Sequence, residues 1–187
     1  MTKYVFYDDE TQGAAQLICQ VGFVVADELG NEVSSFQTLV DPHAKFDPYV
    51  VRHVHHITPS MVAGAPTFDR VWNEILLPTL EDGVLVAHSA RGADLHHIRK
   101  SLEAHKIAMP QIDYVDTMDM ARELFPEGPW KLARLAEHYG IDDPAHHDAL
   151  NDARVLATVF AAMRSDGAHV PVHKTSTHVA KRKRERR

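Results

Sequence analysis

The chain has 187 residues, 44% hydrophobic and 25% charged, with a formal net charge of −6. That length fits one domain with its own core, and that composition is ordinary for a globular protein and argues against disorder. No apolar run reaches the length of a membrane span, Met1 to Tyr4 leads into a strand-like run rather than a leader peptide, and the single cysteine, Cys19, has no internal partner; the cytoplasm is the expected compartment.

Lys3 to Tyr7 reads as a short strand running into the acidic Asp8-Asp9-Glu10. Leu17 to Ala26, rich in Ile and Val, and Glu32 to Val40, which alternates apolar and polar residues, flank a turn holding Gly30-Asn31, so they predict a hairpin. Asp41 to Pro66 carries Pro42, Pro48, Pro59 and Pro66 and reads as a long irregular connection. A helix starts at Thr67, with Val71, Trp72, Ile75 and Leu76 at helical spacing. Gly83 to Ala87 is a continuous apolar run, as in a strand covered on both faces. Asp94 to His105 reads as a helix with Leu95, Ile98 and Leu102 on one side, and Ile112 to Val115 as a fifth strand. Helices then follow over Thr117 to Leu124, Lys131 to Tyr139 and Asp148 to Arg164, with Gly140 closing the second.

Strands first and helix–strand alternation afterwards predict an α/β domain, a mixed five-stranded sheet flanked by helices, over residues 1–166. Residues 167–187 are expected to form a basic, flexible tail. From Ala168 onward seven basic residues and one acidic residue give +6, which leaves −12 on the rest of the chain. An acidic body with a basic arm suits carboxylates that hold cations and an arm that meets phosphate; a solvated surface with an inert end accounts for the same charges.

Three short stretches carry chemistry. Alternate residues of a strand face the same side, so Asp8 and Glu10 project together and Asp9 points away. Neighbouring carboxylates repel unless a cation joins them, and an oxygen-rich pair suits Mg²⁺ or Mn²⁺. Taken alone, the tripeptide reads better as an acidic strand end in water. His147 opens the last helix five residues ahead of Asp152, and the two share one site if the helix start is irregular; Ala149 and Ala153 allow that helix close to the sheet. An imidazole there is suited to take a proton from water near neutral pH. Asp94, heading the helix after Val86-Ala87-His88-Ser89, is either a cap or a further carboxylate. His53, His55 and His56, or His96 and His97, raise the question of zinc, but no cysteine accompanies them and helix neighbours diverge.

In this order, Asp8-x-Glu10, His88-x5-Asp94 and His147-x-Ala149-x-x-Asp152 resemble the DEDDh (DnaQ-like) 3′→5′ exonucleases over nearly the whole folded part. Ile18-Cys19-Gln20-Val21-Gly22, Val54-His55-His56-Ile57-Thr58, Asp116-Thr117 and Lys131-Leu132 match secondary landmarks of that family. The wider His88–Asp94 spacing is similar to the TREX type, while Ser89, Ala93 and Gln12 replace the usual Asn, aromatic residue and Thr. The resemblance implies a ribonuclease H-like fold and hydrolysis of nucleotides from a free 3′ end, DNA rather than RNA. It implies two Mg²⁺ (or Mn²⁺) held by Asp8, Glu10, Asp94 and Asp152, with His147 as general base. Thr11, His88 and Ser89 would then meet the substrate. Open alternatives are a polymerase proofreading subunit, for which the short tail offers no support, an RNA 3′-trimming enzyme, and a non-catalytic nucleic-acid-binding module.

Overall fold

Strand β1 (Lys3–Thr11) runs on through the acidic cluster, four residues beyond the expected end at Tyr7. In this computed structural model the described residues are 3–27, 30–128, 130–142 and 147–176. Strands β2 (Ile18–Ala26) and β3 (Glu32–Leu39) pair antiparallel in the hairpin the sequence predicts. The connection after β3 holds two short helices, α1 (Pro48–His53) and α2 (Pro59–Val62), each with proline at its start, where a missing amide hydrogen costs nothing.

Next come α3 (Phe68–Val71), a π turn (Trp72–Leu76) and α4 (Leu77–Leu80). Pro78 has no amide hydrogen for an α-helical bond, and just ahead of it the Leu77 amide reaches back five residues to the Trp72 carbonyl. Strand β4 (Gly83–Ala87), α5 (Asp94–Ala104), β5 (Asp113–Asp116), α6 (Thr117–Leu124), α7 (Leu132–His138) and α8 (Ala149–Ser165) follow as the hydrophobic pattern predicts.

The sheet order is β3-β2-β1-β4-β5-β6. Strands β1, β4 and β5 are parallel, and β2, β3 and β6 run against their neighbours. The expected count of five strands is therefore corrected to six. The extra strand, β6 (His173–Lys174), pairs with β5, and Thr175 beyond it exchanges hydrogen bonds with Ile112. Two residues in a polar stretch carry no period, which is why the pattern gave no sign of it. The sheet thus takes in part of the expected tail segment; residues 177–187 lie outside the described residues.

Helices cover both faces. Tyr7, Val21, Phe23 and Leu85 pack with Phe68, Trp72 and Leu76 and with Leu95, Ile98 and Leu102 of α5 on one side. Phe6, Val24, Val86 and Val115 pack with Met120, Leu135, Leu156, Val159 and Phe160 on the other. All nine residues of β2 are buried, so its composition shows no alternation. The C-terminal ends of β1, β4 and β5 lie side by side; Asp8, Glu10 and Thr11 stand at the end of β1, and His88, Ser89 and Asp94 follow β4. Among the described residues no helix is long and apolar enough to cross a membrane.

Candidate active site

The two faces of β1 divide the acidic cluster. Even-numbered residues follow Phe6 toward α8, and odd-numbered residues follow Val5 and Tyr7 toward α5. Asp8 and Glu10 therefore approach α8, as expected. Asp9 does point away from them, but into protein rather than water: its side chain is 0% exposed.

Helix α8 reaches this end of the sheet because β2 offers glycine where they meet. Gly22 is the register partner of Asp8. A side chain at Gly22 would collide with the Ala149 and Leu150 backbone, so the first turn of α8 lies against the strand. Two glutamines then fix that turn. The Gln37 side-chain amide donates to the Asp148 carboxylate at 2.6 Å, and the Gln20 carbonyl accepts the Ala149 amide at 3.1 Å. Asp148 in turn caps the helix by accepting from the Asn151 amide.

Just ahead of the cap, His147 sits at φ 67, the irregularity that allows it to share a site with Asp152. Its backbone amide donates to Asp152 Oδ2 at 3.1 Å, and its Nδ1 lies 3.6 Å from Glu10 Oε1. Glu10, His147 and Asp152 each offer a ligand atom within 4.8 Å of the other two. Among the described residues they are the one group of three or more with this property; the histidine-rich stretches form none.

Asp8 and Asp94 complete the cluster electrostatically. Removal from water raises the Asp8 carboxyl well above the usual range, and the charges of Asp94, Asp9, Asp152 and Glu10 add to it. Asp94, buried at the head of α5, is raised in the same way, by burial first and then by Asp9, with Asp116 and Glu10 contributing. Burial, then Asp9, Asp152 and Asp148, pushes Glu10 up to about 8. Several carboxylates are thus forced together in a low dielectric, and a cation bound among them would relieve their mutual repulsion.

The expected substrate residues are placed differently. His88 turns its Nδ1 to the Thr117 hydroxyl at 3.0 Å, and burial holds its imidazole below the ordinary value. Ser89, at φ 62, is the pivot of a turn whose carbonyl accepts from Gly92 and Ala93. The hydrogen bonds of both thus go to the loop and β5 side rather than to the acidic group. Thr11 ends β1 directly after Glu10, at a register shift, and its carbonyl accepts from His55 Nε2 at 3.0 Å. Burial of His55 favours the neutral ring, whose Nδ1 accepts from the Ile57 amide. The sequence marks the His55 stretch as a landmark without this anchoring contact, marks Asp148 only as part of the His147 stretch, and leaves Gln37 unmarked, since nothing local signals contacts across the chain.

The exonuclease family model (RNase T) matches residues 5–160. The chain belongs to this exonuclease family. This exonuclease is 30% identical over 172 residues to the DNA polymerase III subunit epsilon of Treponema pallidum, covering 86% of the chain and 75% of the subunit. It is 35% identical over 163 residues to the PolC-type DNA polymerase III of Clostridium perfringens, covering 84% of the chain; it spans only 11% of that polymerase's length. Among solved structures, the nuclease domain of 3′hExo, a DEDDh family member bound to rAMP, superposes with a TM-score of 0.78 at 18% identity, covering 91% of this chain and 96% of that one. The resemblance to DEDDh exonucleases and the ribonuclease H-like mixed sheet are both borne out, the sheet with its sixth strand.

Proposed function

We propose that this exonuclease removes nucleotides from the 3′ end of a DNA strand, with Asp8, Glu10, Asp94 and Asp152 holding divalent cations and His147 as general base. The observation that carries the reading is the meeting of Glu10, His147 and Asp152, with ligand atoms within 4.8 Å, beside the mutually repelling Asp8 and Asp94. The donor set fits a hard cation. It is rich in carboxylate oxygens, and a cation relieves the repulsion that raises these carboxyl groups. Mg²⁺ or Mn²⁺ suits it better than Zn²⁺, because the group contains no thiolate and a single imidazole.

When bound, such cations stabilise charge on the phosphate and lower the pKa of water. The chain's own residues do the rest. Glu10 and Asp152 both contact His147, at its ring and its backbone amide respectively, and so hold it where its imidazole takes the proton of the attacking water. Thr11, fixed by His55, meets the terminal nucleotide. Residues 3–176 form the catalytic fold, and the basic remainder is an arm for phosphate. The buried thiol of Cys19 fits a reducing compartment such as the cytoplasm.

DNA is favoured by the two polymerase III relatives, and a proofreading role beside a polymerase is consistent with the share of the epsilon subunit that the chain spans. A second reading, trimming of RNA 3′ ends, is favoured by the rAMP bound to the 3′hExo domain. The test is purified protein with 5′-labelled DNA and RNA oligonucleotides, single- and double-stranded, in Mg²⁺, in Mn²⁺ and in EDTA. A metal-dependent ladder shortened from the 3′ end of DNA is the expected result. Four intact substrates in both metals would sink the proposal, and a ladder on RNA alone would move the substrate.

A further inference from the structure

Asp9 is a carboxylate that the reaction proposed above does not use. It lies between Asp8 and Glu10 in sequence but on the opposite face of β1, with its side chain fully shielded from water. Both of its oxygens are engaged. Oδ1 lies 2.7 Å from His97 Nδ1, and Oδ2 accepts the Tyr7 hydroxyl at 3.1 Å. Tyr7 is itself fully buried, and the His97 side chain is 18% exposed. Shielding a carboxylate from water costs several kcal/mol unless its partners are well placed. An apolar residue would fill the same space at no such cost, so the two contacts are what offset the burial of this carboxylate.

Those contacts join two elements that carry the site. His97 stands three residues after Asp94 on α5, so the two side chains lie about one turn apart on the same side of the helix. Asp9 is flanked by Asp8 and Glu10, so whatever fixes its side chain also fixes the peptide units on which those two acids stand. The bond from His97 to Asp9 therefore closes a loop from β1 through α5 and back to the Asp94 carboxylate. Asp94 is the neighbour whose charge acts most strongly on Asp8.

We propose that Asp9 and His97 form a positioning pair that ties the first turns of α5 to β1 and so sets how Asp94 stands against Asp8 and Glu10, and how tightly the site holds a divalent cation. The inference rests on the reading of those three acids as cation ligands. Neither member of the pair touches the cation. Hydrogen-bonded groups behind the ligands of a metal site typically account for roughly 10–100-fold in affinity.

The test is Mn²⁺ binding followed by electron paramagnetic resonance of the free ion, with thermal melting to establish folding and kcat and KM measured on a DNA oligonucleotide at saturating Mn²⁺. His97→Phe keeps the packing and deletes the hydrogen bond; it should weaken Mn²⁺ binding roughly tenfold and leave KM for DNA unchanged. His97→Gln keeps an amide donor for Asp9 and should recover affinity to within about threefold of the parent. Tyr7→Phe deletes the second contact without altering the ring and should lie between the two. A role in packing alone reverses the order, with His97→Phe at or above His97→Gln. Parental affinity in folded His97→Phe and Tyr7→Phe overturns the proposal; if His97→Phe does not fold, parental affinity in Tyr7→Phe does so alone. A parent protein that binds no Mn²⁺ overturns the metal-site reading and this inference with it, whereas a binding parent with indifferent variants overturns this inference only.

Discussion

Gly22 and Ala149 meet backbone to backbone: a methyl group on Gly22 would lie 2.3 Å from the Ala149 carbonyl carbon and 2.2 Å from the Leu150 nitrogen. No flexible side chain can yield there, so the first turn of α8 must retreat if Gly22 gains a side chain. Gly22→Ala should therefore cost about 1–3 kcal/mol of stability. It should also lower kcat by roughly a hundredfold, because His147 and Asp152 ride on the displaced turn. Thermal melts and turnover on a labelled oligonucleotide check both; parental turnover would mean that the helix has another way to approach.

Glu10→Gln separates charge from shape. The amide keeps the volume and one acceptor oxygen but removes one of the crowded negative charges. Cleavage in Mg²⁺ should fall at least about a hundredfold. The metal-free protein should melt at the same temperature or higher at neutral pH, since the burial and repulsion that push Glu10 up to about 8 are relieved. A variant that cleaves normally removes Glu10 from the site.

The pH dependence of stability follows from the same group. In the unfolded chain a glutamate titrates near 4.3, whereas in the metal-free fold Glu10 is pushed up to about 8. A raised folded pKa gives stability that is complete below the unfolded value and is lost as pH rises through the folded value, because the unfolded chain gives up the proton first. Asp8 and Asp94, also raised, act in the same direction. The metal-free melting temperature should therefore fall from about pH 5 to pH 8.5, and Mg²⁺ should recover more of it at the upper end, where it displaces fewer protons. Calorimetry with and without Mg²⁺ measures this; a metal-free melting temperature that climbs over the same range would contradict it.

His147 is the only imidazole in the three-residue group. His147→Ala should reduce kcat by roughly two to four orders of magnitude with KM little changed. A loss confined to KM would reassign His147 to positioning the substrate.

The legible parts of the fold were those whose cause is local. Gly83–Ala87 and Thr117–Leu124 emerge with their predicted limits, because a strand covered on both faces and a helix capped by Asp116 each leave a mark in adjacent residues. The order of the motifs put Asp8, Glu10, Asp94, His147 and Asp152 forward as site candidates, and the fold brings Glu10, His147 and Asp152 together. Strand β1 reads as ending at Tyr7, since a run of three acids ordinarily ends a strand in water, but Asp8, Asp9 and Glu10 here stay within the paired strand. The π turn ahead of Pro78 gave no signal that periodicity could register. Nor did the contacts Asp9–His97, Gln37–Asp148 and His55–Thr11, which join residues far apart in the chain. Such pairs are created by topology, and a window moving along the sequence never holds both members.

Truncations should show where the fold stops. Ala168 is buried beside α8, and the Thr175 hydroxyl accepts the Ile112 amide and donates to the Pro110 carbonyl. Ending the chain after Asp166 should lower the melting temperature, with at least the roughly 1–3 kcal/mol expected for the Ile112 amide left unpaired. Ending it after Ser176 should not. Equal melting temperatures for the two truncations would show that β6 adds no stability.

The direction of β6 has a consequence for reach. It runs against β5, so at Thr175 the chain stands beside Pro110 and Ile112, ahead of β5, while the carboxylates lie past the opposite ends of the parallel strands. Residues 177–187 hold six basic side chains and one acidic, and a segment of eleven residues spans at most about 36–40 Å when drawn out. The basic segment is thus attached on the side of the sheet away from the carboxylates. Its contribution should depend on how far the strand extends past the cut: absent for a dinucleotide, and setting in at a threshold oligonucleotide length.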